Sequence, residues 1–402
     1  MANSRNMGMP DQGFRHGPKP RAEVSRRMSK TASNVSFRQQ GADTPTFLEF
    51  FAGSGLVAEG LKGRFKSVWA NDVCARKRGV YVANHGQDHF ILNSISDVRG
   101  DSLPKATLSW ASFPCQDLSL AGVMDGIAAA RSGLVWEWLR VMDEMPEKPP
   151  VLVAENVMGL VSAEGGAYYR ALHEALRERG YKAGAVVLNA VRWVPQSRPR
   201  VFVIAVKKEL DIKKFSDPGP NWLHPSPVVR AAVDLKDWIW WRMRMPGPRR
   251  TVLADIIEED APCDDTSASA RNMGLIAGRH HKRLLQELAN GFKVAPGYKR
   301  TRGGRQVLEL RFDGVAGCLR TPEGGSSRQL LVLRKPDGKL ATRLLTVRET
   351  ARLMGAPGKY KIPGSYNDGY KAMGDAVAVP VARHLAAHLL LPIAEACGAS
   401  HA

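Results

Sequence analysis

The feature that most constrains the fold is an apolar run, TFLEFF at 46–51, which breaks into AGSG at 52–55 and resumes apolar periodicity from 56 to 62. A short apolar run bounded by turn residues reads as a buried strand, the glycines as a tight turn and the periodic stretch as a helix start. The unit recurs. Further strands are expected at 67–70, 106–111, 151–154, 185–188 and 200–206, with helical patterns between most of them, including 133–142 and 167–179. Strands alternating with helices predict an α/β fold with a doubly wound, mostly parallel sheet and ligands at the carboxyl ends of its strands.

The alternation has limits. Residues 1–44 are rich in Arg, Ser, Asn, Gly and Pro without apolar periodicity and read as a disordered basic tail. Residues 45–206 form the expected catalytic domain. From 207 to 342 the chain is polar, with many Pro and Gly and with Trp238, Trp240 and Trp241 clustered, which predicts a second, irregular domain. Helical character returns within 343–402, at 346–354 and 377–391, as a return segment packing back on the sheet.

Composition narrows the function. There is no uncharged apolar run of about 18 residues or more, so no membrane partner is expected, and the N-terminus lacks the apolar segment of a secretory signal. Five scattered cysteines form neither a disulfide framework nor a zinc ligand set, which fits a reducing cytoplasm. His280-His281 has no further ligands nearby, so no metal is expected. The net charge of +19 favours a polyanionic partner, and the charge is concentrated: between 271 and 311 there are ten Lys or Arg residues against two acids. Lys299, Arg300 and Arg302, interleaved with Tyr298 and glycines, suit phosphate contact.

Two motifs carry chemistry. In the first, the turn Phe51, Ala52, Gly53, Ser54, Gly55, Leu56 lets backbone approach a ligand closely, and Asp72, followed by Val73 at the end of the next strand, can accept both ribose hydroxyls. No Gly-x-Gly-x-x-Gly and no Walker lysine is present to hold phosphates. The expected cofactor carries adenosine without phosphates, and S-adenosyl-L-methionine fits. In the second, SFPCQ puts Cys115 on a proline-initiated turn after one strand, and Glu155-Asn156 follows another. A thiol nucleophile and a carboxyl group at neighbouring strand ends can attack and activate one heteroaromatic ring.

The ordered motifs FAGSG, Asp72, SFPCQDLSLAG, RSG at 131–133, AENV at 154–157, PQSRPR at 195–200, RLLTVRETARLMG at 343–355 and GDAVAVP at 374–380 resemble those of the 5-methylcytosine DNA methyltransferases, over 46 to about 391. The resemblance implies that Cys115 adds to carbon 6 of cytosine and that Glu155 engages ring nitrogen 3. It implies that Arg200 holds the base at its carbonyl oxygen, with Arg198 and Gln196 supporting the site. Thiolate addition with protonation at nitrogen 3 makes an enamine whose carbon 5 attacks the methyl sulfonium, and loss of the carbon 5 proton expels Cys115. The target base must leave the duplex to reach these groups. Double-stranded DNA is the implied partner, together with a cognate restriction endonuclease if the protein serves restriction-modification.

Three positions depart from the family pattern. Ser94 stands where an aspartate often contacts the adenine amine, with Asp97 three residues on; Asp375 replaces the usual asparagine; and Asp72 is one methylene shorter than the more frequent glutamate. The 207–342 region occupies the place of target recognition, with Arg311, Arg320 and Arg328 as candidates for guanine edges or phosphates and Gly324-Gly325 for close backbone approach. Cys318 reads as a packed thiol. A transfer RNA cytosine methyltransferase on the same scaffold and a catalytically silent DNA-binding relative are the alternatives, the latter disfavoured by intact Cys115, Glu155 and Arg200.

Overall fold

The computed structural model describes residues 44–114, 133–320 and 328–399. The first apolar run forms β1 (Thr46–Phe50) and stops at Phe51, whose φ of 57° turns the chain out of the strand. Six strands join it: β2 (Lys66–Asp72), β3 (Phe90–Leu92), β4 (Leu108–Ala111), β5 (Val151–Asn156), β6 (Tyr181–Asn189) and β7 (Pro199–Lys207). Their spatial order is β3-β2-β1-β4-β5-β7-β6. The chain steps from β1 to β2 on one side and later to β4 on the other, so a crevice opens between the carboxyl ends of β1 and β4.

Pairing is parallel from β3 through to β5. The exception is β7, which lies antiparallel between β5 and β6. Only residues 190–198 link β6 to β7, too few for a crossover helix, so the chain must turn straight back. As a result the amino end of β7 lies beside the carboxyl end of β5, with Asn156 opposite Val201.

Helices cover both faces. Leu134–Glu144 buries Val135, Trp138, Leu139 and Met142, a helical stripe that packs with Tyr169 and Leu172 of Ala167–Glu178 on one face. Full burial of a side chain such as Leu139 contributes ~1.5–3 kcal/mol. On the other face, Leu56 and Leu61 pack with Tyr370, Leu385 and Leu389 from the return segment. Residues 366–398 are long and apolar enough to span a membrane, but 61% of that apolar window is buried in the protein's own core.

The stretch expected to be irregular is more ordered than its composition suggests. Beyond a two-stranded piece, β8 (Ser216–Asp217) with β9 (Trp240–Trp241), it holds an antiparallel sheet in the order β11-β10-β12-β13. These strands are β10 (Val294–Arg302), β11 (Arg305–Leu310), β12 (Leu330–Arg334) and β13 (Leu340–Leu344). The basic residues of β10 and β11 mask the period-2 pattern because the hairpin is half exposed; Gly303 and Gly304, at φ 53° and 74°, make its two-residue turn. The tryptophans sit elsewhere. Ile239 N–H donates to Ala183 O, and the fully buried Trp241 donates from Nε1 to the carbonyls of Gly184 and Ile204, so residues 237–241 cover the β6 edge of the main sheet. A β-carbon on Gly184 would lie 2.0 Å from Ile239 O, which explains the glycine.

Candidate active site

A cleft of about 950 Å³ opens at the carboxyl ends of β1, β2, β4 and β5. One wall is the turn after β1. Asp72, at the end of β2 and 8% exposed, accepts the Gly53 N–H on Oδ2 and the Cys74 N–H on Oδ1, both at 2.8 Å. The carboxylate thus fixes the turn at the cleft wall. Gly55, at φ 79°, has to be glycine, because a β-carbon would lie 2.6 Å from His85 Cδ2. Phe51, Ala52, Ser54 and Leu56 line the same wall, and Val73 projects from it at 73% exposure. Ser54 Oγ donates to Ala372 O and so ties the turn to the return segment.

Ser94 also lines the cleft, but its Oγ caps the short helix Ile95–Asp97 by accepting Ser96 N–H at 3.3 Å. Asp97 is exposed and does not line the cleft. Lys77, which nothing in the sequence singled out, borders Gly53 and pairs with Asp375 at 2.7 Å.

At the other end Glu155 closes β5, and the inverted β7 delivers Arg200 to it: Arg200 Nε lies 3.2 Å from Glu155 Oε1. Burial raises the Glu155 carboxyl above the usual carboxylate range, opposed by Arg200, Arg198 and a hydrogen bond from Ser112. Pro114 reaches the same cleft. Asn156 Nδ2 donates to Phe113 O at 3.0 Å and steadies the turn that leads into Cys115. Cys115 itself lies outside the described residues, as do Gly324 and Gly325.

Gln196 and Arg198 are buried clamps. Gln196 donates to Leu353 O at 2.9 Å and accepts Leu319 N–H at 3.1 Å. Arg198, 2% exposed, donates to the carbonyls of Leu319, Gly374 and Ala376. Burial, with the neighbouring Arg200 charge, lowers its guanidinium to about 10. Cys318, expected as a packed thiol, packs against two guanidinium groups. Its Sγ lies 3.3 Å from Arg198 Nη1 and 3.9 Å from Arg200 Nη2, and although burial opposes ionisation the two guanidinium groups lower its thiol below the ordinary value. Only the fold could reveal this, since Cys318 is more than a hundred residues from either arginine.

The six cations singled out for nucleic acid differ in availability. Arg302 is bidentate to Glu309, Arg311 pairs with Asp313, and Arg328 donates to Asn367 and stacks over Tyr366. Lys299 and Arg300 stand on the β10 hairpin, with Arg300 over the Tyr298 ring, and Arg320 is exposed at the cleft mouth. Among the described residues no carboxylate pairs with these three.

The model of the family described as C-5 cytosine-specific DNA methylase matches residues 45–390. The chain is similar to the Type II methyltransferase M.HhaI of Haemophilus parahaemolyticus, 25% identical over 354 residues that cover 85% of this chain and 92% of that protein. It is also similar to M.HpaII of Haemophilus parainfluenzae, 26% identical over 381 residues that cover 90% and 92%. Among solved structures, the S. pombe Dnmt2 methyltransferase aligns at TM-score 0.54 and 18% identity, over 87% of this chain and 98% of that one. The Entamoeba histolytica methyltransferase EhMeth aligns at 0.59 and 12%, over 86% and 97%. At these identities the structural likeness is one of fold. The family match extends over the glycine turn, the Glu155 and Arg200 end and the return segment together: the chain belongs to the C-5 cytosine-specific DNA methylases and is a DNA (cytosine-5)-methyltransferase.

Proposed function

We propose that the cleft holds S-adenosylmethionine at its Asp72 end and a flipped-out cytosine at its Glu155 end, within a specific DNA sequence. The observation that carries this reading is the convergence of Glu155 and Arg200, 3.2 Å apart, beside the turn that leads into Cys115. Family and fold imply S-adenosylmethionine as methyl donor, and the Asp72-anchored turn fits it, with a carboxylate and open backbone and no phosphate cradle. Bound there, it supplies an electrophilic methyl group.

The chain's own residues supply the rest. Burial raises the Glu155 carboxyl and so favours its protonated form, which suits it to give a proton to ring nitrogen 3, while Arg200 orients that carboxyl and the base carbonyl. Cys115 is the proposed nucleophile: its thiolate adds to carbon 6 and leaves again when carbon 5 loses its proton. Arg198 and Gln196 keep the base end joined to the return segment. Residues 45–206 with 343–402 make up the proposed catalytic domain and 207–342 the target-recognition domain, whose Lys299, Arg300 and Arg320 offer cations to DNA. Its relatives are Type II methyltransferases, so a cognate restriction endonuclease in the same cytoplasm is the proposed partner.

The test is bisulfite sequencing of DNA from cells expressing the protein, beside methylation assays on duplex DNA and transfer RNA. Modified cytosine is expected at one short DNA sequence, none with Cys115→Ser, and a rate lower by orders of magnitude with Glu155→Gln. Methylation confined to transfer RNA, or full activity without the thiol, refutes the reading.

A further inference from the structure

The proposed chemistry uses one thiol, Cys115, yet a second thiol, Cys318, lines the same cleft and takes no part in that mechanism. Cys318 Sγ stands 3.3 Å from Arg198 Nη1 and 4.0 and 3.9 Å from the two Nη atoms of Arg200. Its seat is fixed from both sides. Tyr298 donates its hydroxyl to the Cys318 carbonyl, and Gln196 accepts the N–H of Leu319, so the backbone on either side of the Cys318 side chain is pinned. Gly317 completes the seat, because a β-carbon there would collide with the Tyr298 ring.

Sulfur is a weak acceptor, whereas guanidinium N–H groups are best satisfied by oxyanions. Arg198 is 2% exposed, and among the described residues its Nε has no hydrogen-bond partner. Two cations therefore face a thiol that satisfies their donors only in part. Burial opposes ionisation of Cys318, but the Arg198 and Arg200 charges outweigh it and hold the thiol below its ordinary value. Burial without such neighbours acts the other way at Cys397, which it pushes up to about 11. Cys318 is partly exposed in the cleft, so a small oxidant that enters can reach it.

We infer that Cys318 is a peroxide-sensitive modification site, oxidised reversibly to a sulfenate whose oxygen is held by Arg198 and Arg200. The thiolate attacks one oxygen of hydrogen peroxide; an S–O bond forms as the O–O bond breaks, sulfur gives up two electrons, and the other oxygen leaves as water with both peroxide protons. Taking up a proton, the sulfenate then reacts with a small thiol to give a mixed disulfide and water, and a second small thiol restores Cys318 and departs as the small disulfide. Arg200 is the residue proposed to hold the target base, so an oxygen on Cys318 draws its N–H groups away and fills the base end of the cleft. Oxidation thereby stops methylation with Cys115 still reduced. That consequence rests on the base end taking cytosine; the reactivity of Cys318 does not.

The test has two arms, both on the full chain. In the first, Cys115→Ser protein is treated at pH 7 with hydrogen peroxide and dimedone, which traps sulfenic acids, and the labelled cysteines are mapped by mass spectrometry. Cys318 should be labelled about tenfold faster than Cys74, Cys263 or Cys397, as expected of a thiol held between cations. Arg200→Gln should slow that labelling several-fold and move the alkylation of Cys318 by iodoacetamide to higher pH, whereas Arg200→Lys, which keeps the charge, should preserve most of the rate. In the second arm, wild-type and Cys318→Ser proteins are dosed with peroxide, quenched with catalase and assayed for methylation of duplex DNA, each as a fraction of its own starting rate. The serine variant should need about tenfold more peroxide for half-inactivation, and dithiothreitol should restore the wild-type rate. Labelling of Cys318 no faster than the other three cysteines, labelling indifferent to Arg200→Gln, or equal peroxide sensitivity of the two proteins overturns the inference. If neither protein methylates DNA before treatment, the cytosine reading is what fails, and the labelling arm alone decides whether Cys318 is the modification site.

Discussion

Glu49 lies in β1, 1% exposed, and among the described residues neither carboxyl oxygen has a partner at good hydrogen-bond geometry, the Ala58 backbone and the Tyr81 hydroxyl only partly opposing the cost of burial. Burial pushes its carboxyl from the ordinary 4.5 up to about 8, with the nearby Asp72 charge adding to the rise. Between those two pH values the unfolded chain has released the proton and the native chain retains it. The native state therefore binds more protons, and stability falls as pH rises through this window. At ~1.36 kcal/mol per pH unit, the span from 4.5 to about 8 corresponds to about 5 kcal/mol. Below the window both states are protonated, and above it both are ionised, so the slope from this residue vanishes at either end. Glu49→Gln keeps the shape and removes the titration. Urea unfolding followed by tryptophan fluorescence at intervals from pH 5 to 8.5 should show the wild-type protein losing stability relative to the variant as pH rises, the difference growing toward alkaline pH while the histidines that both share cancel. Parallel pH profiles for the two proteins would refute the argument, because they would mean that Glu49 ionises at the same pH folded and unfolded.

Further outcomes concern the cleft wall and the cations of the proposed recognition region. Asp72→Ala frees the Gly53 and Cys74 N–H groups as well as removing the proposed ribose acceptor, so S-adenosylmethionine binding should weaken by roughly 1–3 kcal/mol by calorimetry. Replacing Lys299 and Arg300 together with alanine should weaken DNA binding alike on all sequences and lower the salt slope by about 2, roughly one per phosphate contact. Adding Arg302→Ala should change little more, because Arg302 is engaged by Glu309; Arg320→Ala, at the cleft mouth, should instead relax preference at one base position in a methylation profile.

Much of this was legible where function follows directly from a strand end. The βα alternation and the position of Asp72 needed only periodicity and turn residues, because in a doubly wound sheet the residues just past each strand face the crevice. Glu155 and Arg200 were legible as motifs, but their meeting depends on the antiparallel return of β7, which the short 190–198 link encodes and periodicity does not. Lys77 with Asp375, and Cys318 with Arg198 and Arg200, were not legible. Their partners lie far apart in sequence, and a single lysine on a helix or cysteine in a loop carries no local signal. The β10–β11 hairpin was missed for another reason: its outward face is basic, so the alternation that marks a half-buried strand is diluted by cations.

Arg198 also sets how freely the proposed recognition segment can be exchanged. A single guanidinium, fixed to β7 at its root, grips the carbonyl of Leu319 on one side and those of Gly374 and Ala376 on the other, while the buried Arg343 and Glu349 pair reaches the Glu258 backbone. The Arg343 and Glu349 latch takes main-chain atoms of Glu258, whereas Arg198 takes the Leu319 carbonyl and also lies 3.3 Å from Cys318 Sγ. In the proposed target-recognition region, an exchanged segment therefore has to bring its backbone back to the positions now held by 258 and 319 and keep the Cys318 thiol beside Arg198.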